Sequence, residues 1–254
     1  MNSIRLLYHD VVRAGEFRFS GFTGGGADIY KLDREEFCRH LDAIARVNRR
    51  VLLTFDDGGV SFYDEIAPAL EDRGRRGYFF IATNWIGKPG FLSAAQIREL
   101  RARGHRIGTH SCSHPQRISR CSFEVIKHEW ADSMIALSDV LGERIEVGSV
   151  PGGYYSRKVA KAAAVAGLRT LFTSEPSVAS YSVDSCVVVG RYTIRRGTSS
   201  ETAAALVAGA VLPRLKQYAS WNTKKLLKLA GGFAWLNFRR RILSDARGEM
   251  PQGS

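Results

Sequence analysis

Two adjacent carboxylates, Asp56 and Asp57, close the apolar run Val51-Leu52-Leu53-Thr54-Phe55 and are followed at once by Gly58 and Gly59. Further along, His110 and His114 bracket the sequence His110-Ser111-Cys112-Ser113-His114, just past a second short run, Arg106-Ile107-Gly108-Thr109. One carboxylate and two imidazoles can hold a divalent metal and leave a position open for water, and the remaining carboxylate can then act as a base. Taken singly, Asp-Asp-Gly-Gly is an ordinary turn and His-x-x-x-His an ordinary surface pair. Their coincidence past the ends of two strand-like runs favours a site. Cys112 is not needed as a ligand, because its neighbours already supply a complete set.

The elements that must position these groups alternate regularly. Ile4–Tyr8, Val51–Phe55, 77–82, Arg106–Thr109, 147–150, 170–173 and Cys186–Val189 read as strands. Between them lie helical patterns: one opened by Asp33 and Glu36 as a capping box, one over 61–74, one capped by Ser93, one over 122–141 and one over Arg157–Ala166. Strands that are apolar throughout and alternate with amphipathic helices indicate a parallel sheet covered on its outer faces. The expected fold is α/β, a distorted (β/α) barrel of about seven strands over residues 1–200, followed by a basic amphipathic helical tail over 201–254. In such barrels reactive groups sit at the C-terminal ends of strands, where Asp56, Asp57 and His110 fall.

A hydrophobic content of 44% with 24% charged residues is that of one ordinary globular domain plus a tail. The net charge of +12 is uneven: no Asp or Glu occurs over 202–244, whereas Arg214, Lys216, Lys224, Lys225, Lys228, Arg239, Arg240 and Arg241 do. Interleaved with Leu215, Tyr218, Trp221, Phe233 and Trp235, these residues suit a helix pair lying on an anionic bilayer. The competing reading is that the apolar residues close the bottom of the barrel. No motif for nucleic-acid recognition is present, and no nucleic-acid partner is expected. No secretory signal and no span of roughly twenty apolar residues is visible, so the expectation is a cytoplasmic protein, peripheral at the inner face of the membrane. Cys38, Cys112, Cys121 and Cys186 form no CxxC pair and are expected as reduced thiols.

The motif Thr54-Phe55-Asp56-Asp57-Gly58, taken with His110-Ser111-Cys112-Ser113-His114, resembles the first two motifs of the polysaccharide deacetylases, the NodB-homology or carbohydrate esterase family four enzymes. The similarity extends upstream to Leu7-Tyr8-His9 and downstream to about Thr198. It implies that Asp57, His110 and His114 ligate a divalent metal, with zinc favoured and manganese, cobalt or nickel tolerated by the same donors. It further implies that Asp56 takes the proton from the attacking water, and that the substrate is an N-acetyl group on an acetamido sugar of a polysaccharide or lipid-linked glycan.

Two departures from the family pattern matter. The third motif, an Arg-x-Pro followed by an aromatic and glycine, is matched by Ser149-Val150-Pro151-Gly152-Gly153-Tyr154-Tyr155. Pro151, Tyr154 and Tyr155 are thereby implied in the substrate groove, but Ser149 replaces the arginine that steadies the base. Either another cation, Arg191 or Arg195, replaces it or the base has a higher pKa than usual, and Arg195 is counted as catalytic for stabilising charge on the intermediate. The late histidine that protonates the leaving amine is absent, since no histidine follows His128. Asp56 is then expected to return its proton to nitrogen, with Glu175 pairing an arginine; His9 either borders the pocket at the end of the first strand or, the favoured reading, is a hydrogen-bonded core histidine. Hydrolysis of another amide or of an O-acetyl ester, and glycan binding without catalysis, stand as alternatives.

Overall fold

The computed structural model describes residues 3–230, with 224–230 as helix backbone. β1 (Ile4–Tyr8) leads to β2 (Val11–Val12), a Gly-rich segment containing one helical turn, α1 (Gly25–Asp28), and β3 (Leu32–Asp33). α2 (Arg34–Ala45) and β4 (Val51–Phe55) follow. Asp33 occupies the N-cap position of α2 but makes no side-chain cap bond, so the expected capping box is not formed. Its backbone is held extended by pairing with Val12 instead. The helix expected over 61–74 begins as a π-helical turn, Phe62–Ile66, before α3 (Ala67–Glu71). Pro68 near the start of α3 has no N–H to donate, which breaks the regular ladder there.

β5 (Gly77–Ile81) then leads to α4 (Ala94–Ala102), which carries the expected Ser93–Gln96 capping box. The remaining elements are β6 (Arg106–Thr109), α5 (Phe123–Leu141), β7 (Val147–Ser149), α6 (Arg157–Ala166), β8 (Thr170–Phe172), β9 (Ser180–Val183), β10 (Cys186–Val189), β11 (Tyr192–Thr193), α7 (Ser200–Ala208) and α8 (Val211–Ala230).

Nine strands form one sheet in the order β11-β1-β4-β5-β6-β7-β8-β10-β9. All neighbours are parallel except β9, which pairs antiparallel with β10. The sheet curls as an open barrel: its two edges, β11 and β9, are not hydrogen-bonded to one another. The distorted barrel is therefore present, with two more strands than the apolar runs indicated. Both extra strands were hard to see. β9 is an exposed edge reading Ser-Tyr-Ser, and β11 has two residues.

Alternation along β5 separates two packing layers. Phe79 and Ile81 point outward into the main core with Phe55, Phe62, Leu100 and Ile107, under the helices. Phe80 points the other way, into the barrel, where it meets Phe172 and Val189. The body runs past residue 200, where sequence reading ended the barrel. α7 packs on α2, and its Ala203, Leu206 and Val207 are part of the main core.

α8 attaches by one face. Gln217 accepts from the Thr193 N–H at 3.1 Å and donates to its carbonyl at 2.9 Å, and Arg214 lies over the Tyr192 ring. Val211, Leu212, Leu215 and Tyr218 face outward, from 77% to 50% exposed. The expected second tail helix, with Phe233, Trp235 and Arg239 to Arg241, lies outside the described residues. Among those described, no helix is long and apolar enough to cross a membrane, and all four cysteines are free thiols.

The Gly-rich segment is pinned by one buried acid. Asp10 Oδ1 accepts from the hydroxyls of Ser20 at 2.6 Å and Ser61 at 2.8 Å, while the Lys31 ammonium donates to the carbonyls of Phe17 and Ser20. Burial raises the Asp10 carboxyl to about 6, against the opposing pull of Ser20 and Lys31. A carboxyl raised above its unfolded value holds its proton more tightly in the folded chain. Its effect on stability is therefore most favourable below about pH 4 and worsens as pH rises through about 6. Asp10→Asn should consequently gain stability relative to the wild type by on the order of 3 kcal/mol between pH 4 and pH 8 in urea unfolding. A difference that does not change with pH would show that Asp10 carries no such penalty.

Candidate active site

The C-terminal end of β4 delivers both acids. Thr54 turns into the barrel, Asp56 continues the ladder by donating its N–H to the Tyr8 carbonyl, and the chain then turns sharply, with Asp57 at φ 92° and Gly58 at φ 89°. At Gly59 a Cβ would stand 1.9 Å from Asp10 Oδ1, so only glycine fits against that anchor. Among the described residues, three of the four non-glycine residues with positive φ, Asp57, Ser111 and His114, belong to this site, and the fourth is Asp184. Strain of this kind persists where surrounding contacts impose it.

Asp57 Oδ1 lies 3.3 Å from His110 Nε2 and 3.3 Å from His114 Nε2. The His110 ring donates its Nδ1–H to the Ser149 carbonyl at 2.8 Å, which turns the Nε2 lone pair toward Asp57. The His114 loop is clamped by Glu129 of α5. Its Oε2 accepts the N–H groups of Cys112 and Ser113 at 2.9 Å each, and its Oε1 accepts the Ser113 hydroxyl at 2.6 Å. Nothing in the sequence singles out Glu129, whose role follows only from the folded path of the loop. The ligand atoms of Asp57, His110 and His114 lie within 4.8 Å of one another, and Cys112 is not in the set. An anionic oxygen and two imidazole nitrogens converging on one point, one of them oriented from behind, fit a divalent cation.

Asp56 is buried beside this set, its Oδ2 4.0 Å from His110 Nε2. Both of its oxygens are held by Arg191, Nη1 to Oδ1 and Nη2 to Oδ2 at 2.8 Å each, and the Ser149 hydroxyl donates to Oδ2 at 2.8 Å. Arg191 is fully buried against the rings of Phe80 and Phe172, which also touch each other. Its other N–H groups go to the Thr173 carbonyl, Thr54 Oγ1 and Ser149 Oγ. All five guanidinium donors are thus used.

These contacts set the charges. Burial pushes Asp56 up, but Arg191 outweighs it and holds the carboxyl below its ordinary value. Burial likewise opposes ionisation of Asp57, and the hydrogen bonds from His110 and His114 hold it well below that value. Burial lowers His110, and the neighbouring Asp56 and Asp57 more than reverse this. His9 is half-buried, its ring tilted against Tyr30 at 4.7 Å, with a buried Nδ1 that has no hydrogen-bond partner. Its pKa is lowered by burial, while Asp57 and Asp56 pull in the opposite direction. The acid pair is close enough to act on it, and of the two readings open for His9 the unpartnered Nδ1 disfavours the hydrogen-bonded core histidine.

The model of the polysaccharide deacetylase family matches residues 44–171, half of the chain. The chain belongs to the polysaccharide deacetylase family. Among relatives, YxkH of Bacillus subtilis is 29% identical over 130 residues, covering 51% of this chain and 46% of YxkH. The peptidoglycan-N-acetylglucosamine deacetylase PgdA of Listeria monocytogenes is 30% identical over 122 residues, covering 46% of this chain and 24% of PgdA. The chain therefore spans less than half the length of these relatives. In fold it is similar to IcaB from Ammonifex degensii, with TM-score 0.68 and 21% identity over 82% of this chain and 97% of that one. It is similar also to the deacetylase PplD of Streptococcus pyogenes, with TM-score 0.65 and 19% identity over 79% and 96%.

Against the family's pattern, the cation on Asp56 is Arg191, one of the two arginines expected for that role, and not Arg195. Arg195 lies beyond the end of β11 with its guanidinium over the Tyr30 ring, and no ion pair joins it to Asp56. Glu175 meets Arg191 only through its backbone carbonyl. Pro151 is buried at the start of a tight turn after β7, which carries Tyr154 half-buried beyond Ser149. Tyr155 packs edge-on against Tyr181 of β9. The wall touching the metal-binding set is instead aromatic from the other side: Phe22 lies 4.8 Å from His114 and also contacts Trp85 and Phe91.

Replacing Arg191 by Met should leave a buried, uncompensated Asp56 and destabilise the fold by about 3–5 kcal/mol in urea unfolding, with part of the loss recovered by adding Asp56→Asn. An Arg191→Met protein within about 1 kcal/mol of wild type would show that the pair does not hold the barrel together.

Proposed function

We propose that this chain is a metal-dependent hydrolase that removes N-acetyl groups from an acetamido sugar of a polysaccharide or lipid-linked glycan, releasing acetate. The observation that carries this reading is the convergence of Asp57, His110 and His114 beside an Asp56 held by Arg191. Zinc suits two imidazoles and a carboxylate best, and manganese, cobalt or nickel accept the same donors. When bound, the ion supplies Lewis acidity toward the amide carbonyl and toward water.

The chain's own groups then divide the proton work. Asp56 is anionic and takes a proton from water as its oxygen bonds to the carbonyl carbon. The carbon–nitrogen bond breaks as nitrogen gains a proton, giving acetate and a free amine. Two groups border the site to carry that proton: Asp56 once protonated, and His9, whose Nδ1 has no partner inside the protein. Because Arg191 makes the Asp56 carboxyl a weak proton acceptor, a second carrier relieves it of serving alone. Arg191 supplies one of the two accessory groups whose absence favoured reading the chain as a glycan-binding protein without activity.

The test is acetate release from N-acetylated oligosaccharides by zinc-loaded protein. Chelation should abolish it, Asp56→Asn should lower kcat by about 10²–10⁴-fold, and His9→Gln should lower kcat and alter the pH profile. Metal-loaded protein that releases no acetate from any such substrate overturns the reading.

We propose further that α8 lies on an anionic membrane surface, with the chain working at the cytoplasmic face on a surface or exported glycan. Support comes from the outward Val211, Leu212, Leu215 and Tyr218 and from the basic residues that follow in sequence. Full-length protein should float with vesicles containing phosphatidylglycerol, and Leu212→Ser with Leu215→Ser should reduce this by about tenfold or more. Equal flotation of wild type and variant would remove the membrane role.

A further inference from the structure

A cleft of about 1390 Å³ lies outside the metal-binding set and is lined by Glu16, Phe17, Arg18, Phe19, Arg195 and Arg196, among others. It adjoins the site along an aromatic path. The Arg195 guanidinium rests on Tyr30, and Tyr30 packs at 4.7 Å against His9, which lies within electrostatic reach of Asp56 and Asp57. The Gly-rich segment anchored by Asp10 supplies one wall of each: Phe22 against His114, and Phe17 to Phe19 in the cleft.

Three arginines in this cleft are left without a carboxylate. Among the described residues, Arg18, Arg195 and Arg196 form no ion pair, whereas Arg13 and Arg34 nearby both reach Glu65. Two of the three are already oriented. Arg196 lies 4.0 Å over the Phe17 ring and donates Nη2–H to the Asp28 carbonyl, and Arg195 lies 5.4 Å over Tyr30. The acids that face the same space are Glu16 and Asp28, and Asp28 Oδ1 stands 3.9 Å from the buried Lys31 ammonium. Guanidinium forks held on aromatic faces bind an oxyanion with little ordering cost. Phe19, 47% exposed, adds an apolar face that suits a sugar ring.

We propose that this cleft is a subsite for an oxyanion carried by the glycan, a phosphate or pyrophosphate on one hand or a uronate carboxylate on the other, bound by Arg18, Arg195 and Arg196. The proposal rests on the deacetylase reading and names the substrate class: an acetamido saccharide bearing negative charge near the acetylated residue.

Calorimetry on the full-length, zinc-loaded protein compares three probes: neutral chitotetraose, a hyaluronan tetrasaccharide, and N-acetylglucosamine on a citronellyl pyrophosphate. At least one charged probe should bind about tenfold tighter than chitotetraose, and the probe that does so identifies the oxyanion. In Arg18→Ala with Arg196→Ala the charged-to-neutral affinity ratio should fall to about one, and Arg196→Lys should give an intermediate ratio in a chain that keeps the charge. Charged probes that bind no tighter than chitotetraose, or an advantage that survives in the double variant, overturn the subsite. Binding is read without turnover. A charged-probe advantage with no acetate released supports the subsite and refutes the deacetylase reading, while acetate release without such an advantage does the reverse.

Discussion

The bidentate pair between Arg191 and Asp56 is the interaction on which the other features depend. A charge buried at the mouth of a barrel must be matched, and here every donor of the guanidinium has an acceptor. Those acceptors come from the end of β4, the end of β7 and the residue after β8, so one side chain ties three strand ends across the interior. The tie also keeps the inner layer open enough for chemistry. Phe80 and Phe172 pack on the guanidinium faces instead of closing on each other alone. The same contact that secures the fold keeps Asp56 ionised.

The neighbouring acids are thereby set to different tasks by environment alone. Asp56 faces inward to a permanent cation, whereas Asp57, one residue later and at positive φ, swings its carboxylate toward two imidazoles. Without that unusual backbone angle, successive residues at a strand end would point to opposite faces and could not border one space. Gly58 and Gly59 make the angle possible, the first by taking a left-handed conformation and the second by letting Asp10 approach. The aromatic wall at His114 is held by that same acid, because Asp10 binds Ser20 two residues before Phe22.

Most of the barrel was legible because parallel strands buried on both faces are largely apolar, and the strand that carries the acids is of this kind. The strands missed were those without that signature, β9 at an exposed edge and β11 as two residues. Asp56, Asp57, His110 and His114 were legible because their types are rare in combination and fall at strand ends. The choice between Arg191 and Arg195 was left open, yet a local signal existed. Val189 points into the barrel and Val188 into the outer core, so Arg191, two residues beyond Val189, inherits the inward direction. Arg195 has the same parity but lies past the end of β11, where alternation no longer applies. Glu129 and the partnerless Nδ1 of His9 were illegible, since each depends on which distant segment packs against it.

The exchange of arginine for serine at 149 is explained by space as much as by charge. Ser149 Oγ accepts from Arg191 Nη2 at 2.6 Å and donates to Asp56 Oδ2 at 2.8 Å, so the hydroxyl completes the cage around the ion pair. A long side chain at 149 would enter the volume that Arg191 already fills, and a second guanidinium would bring an unmatched charge to one carboxylate. A small polar residue at 149 and an arginine at 191 are therefore two halves of one arrangement. What Asp56 requires is a guanidinium in a fixed place, and a different strand end can provide it.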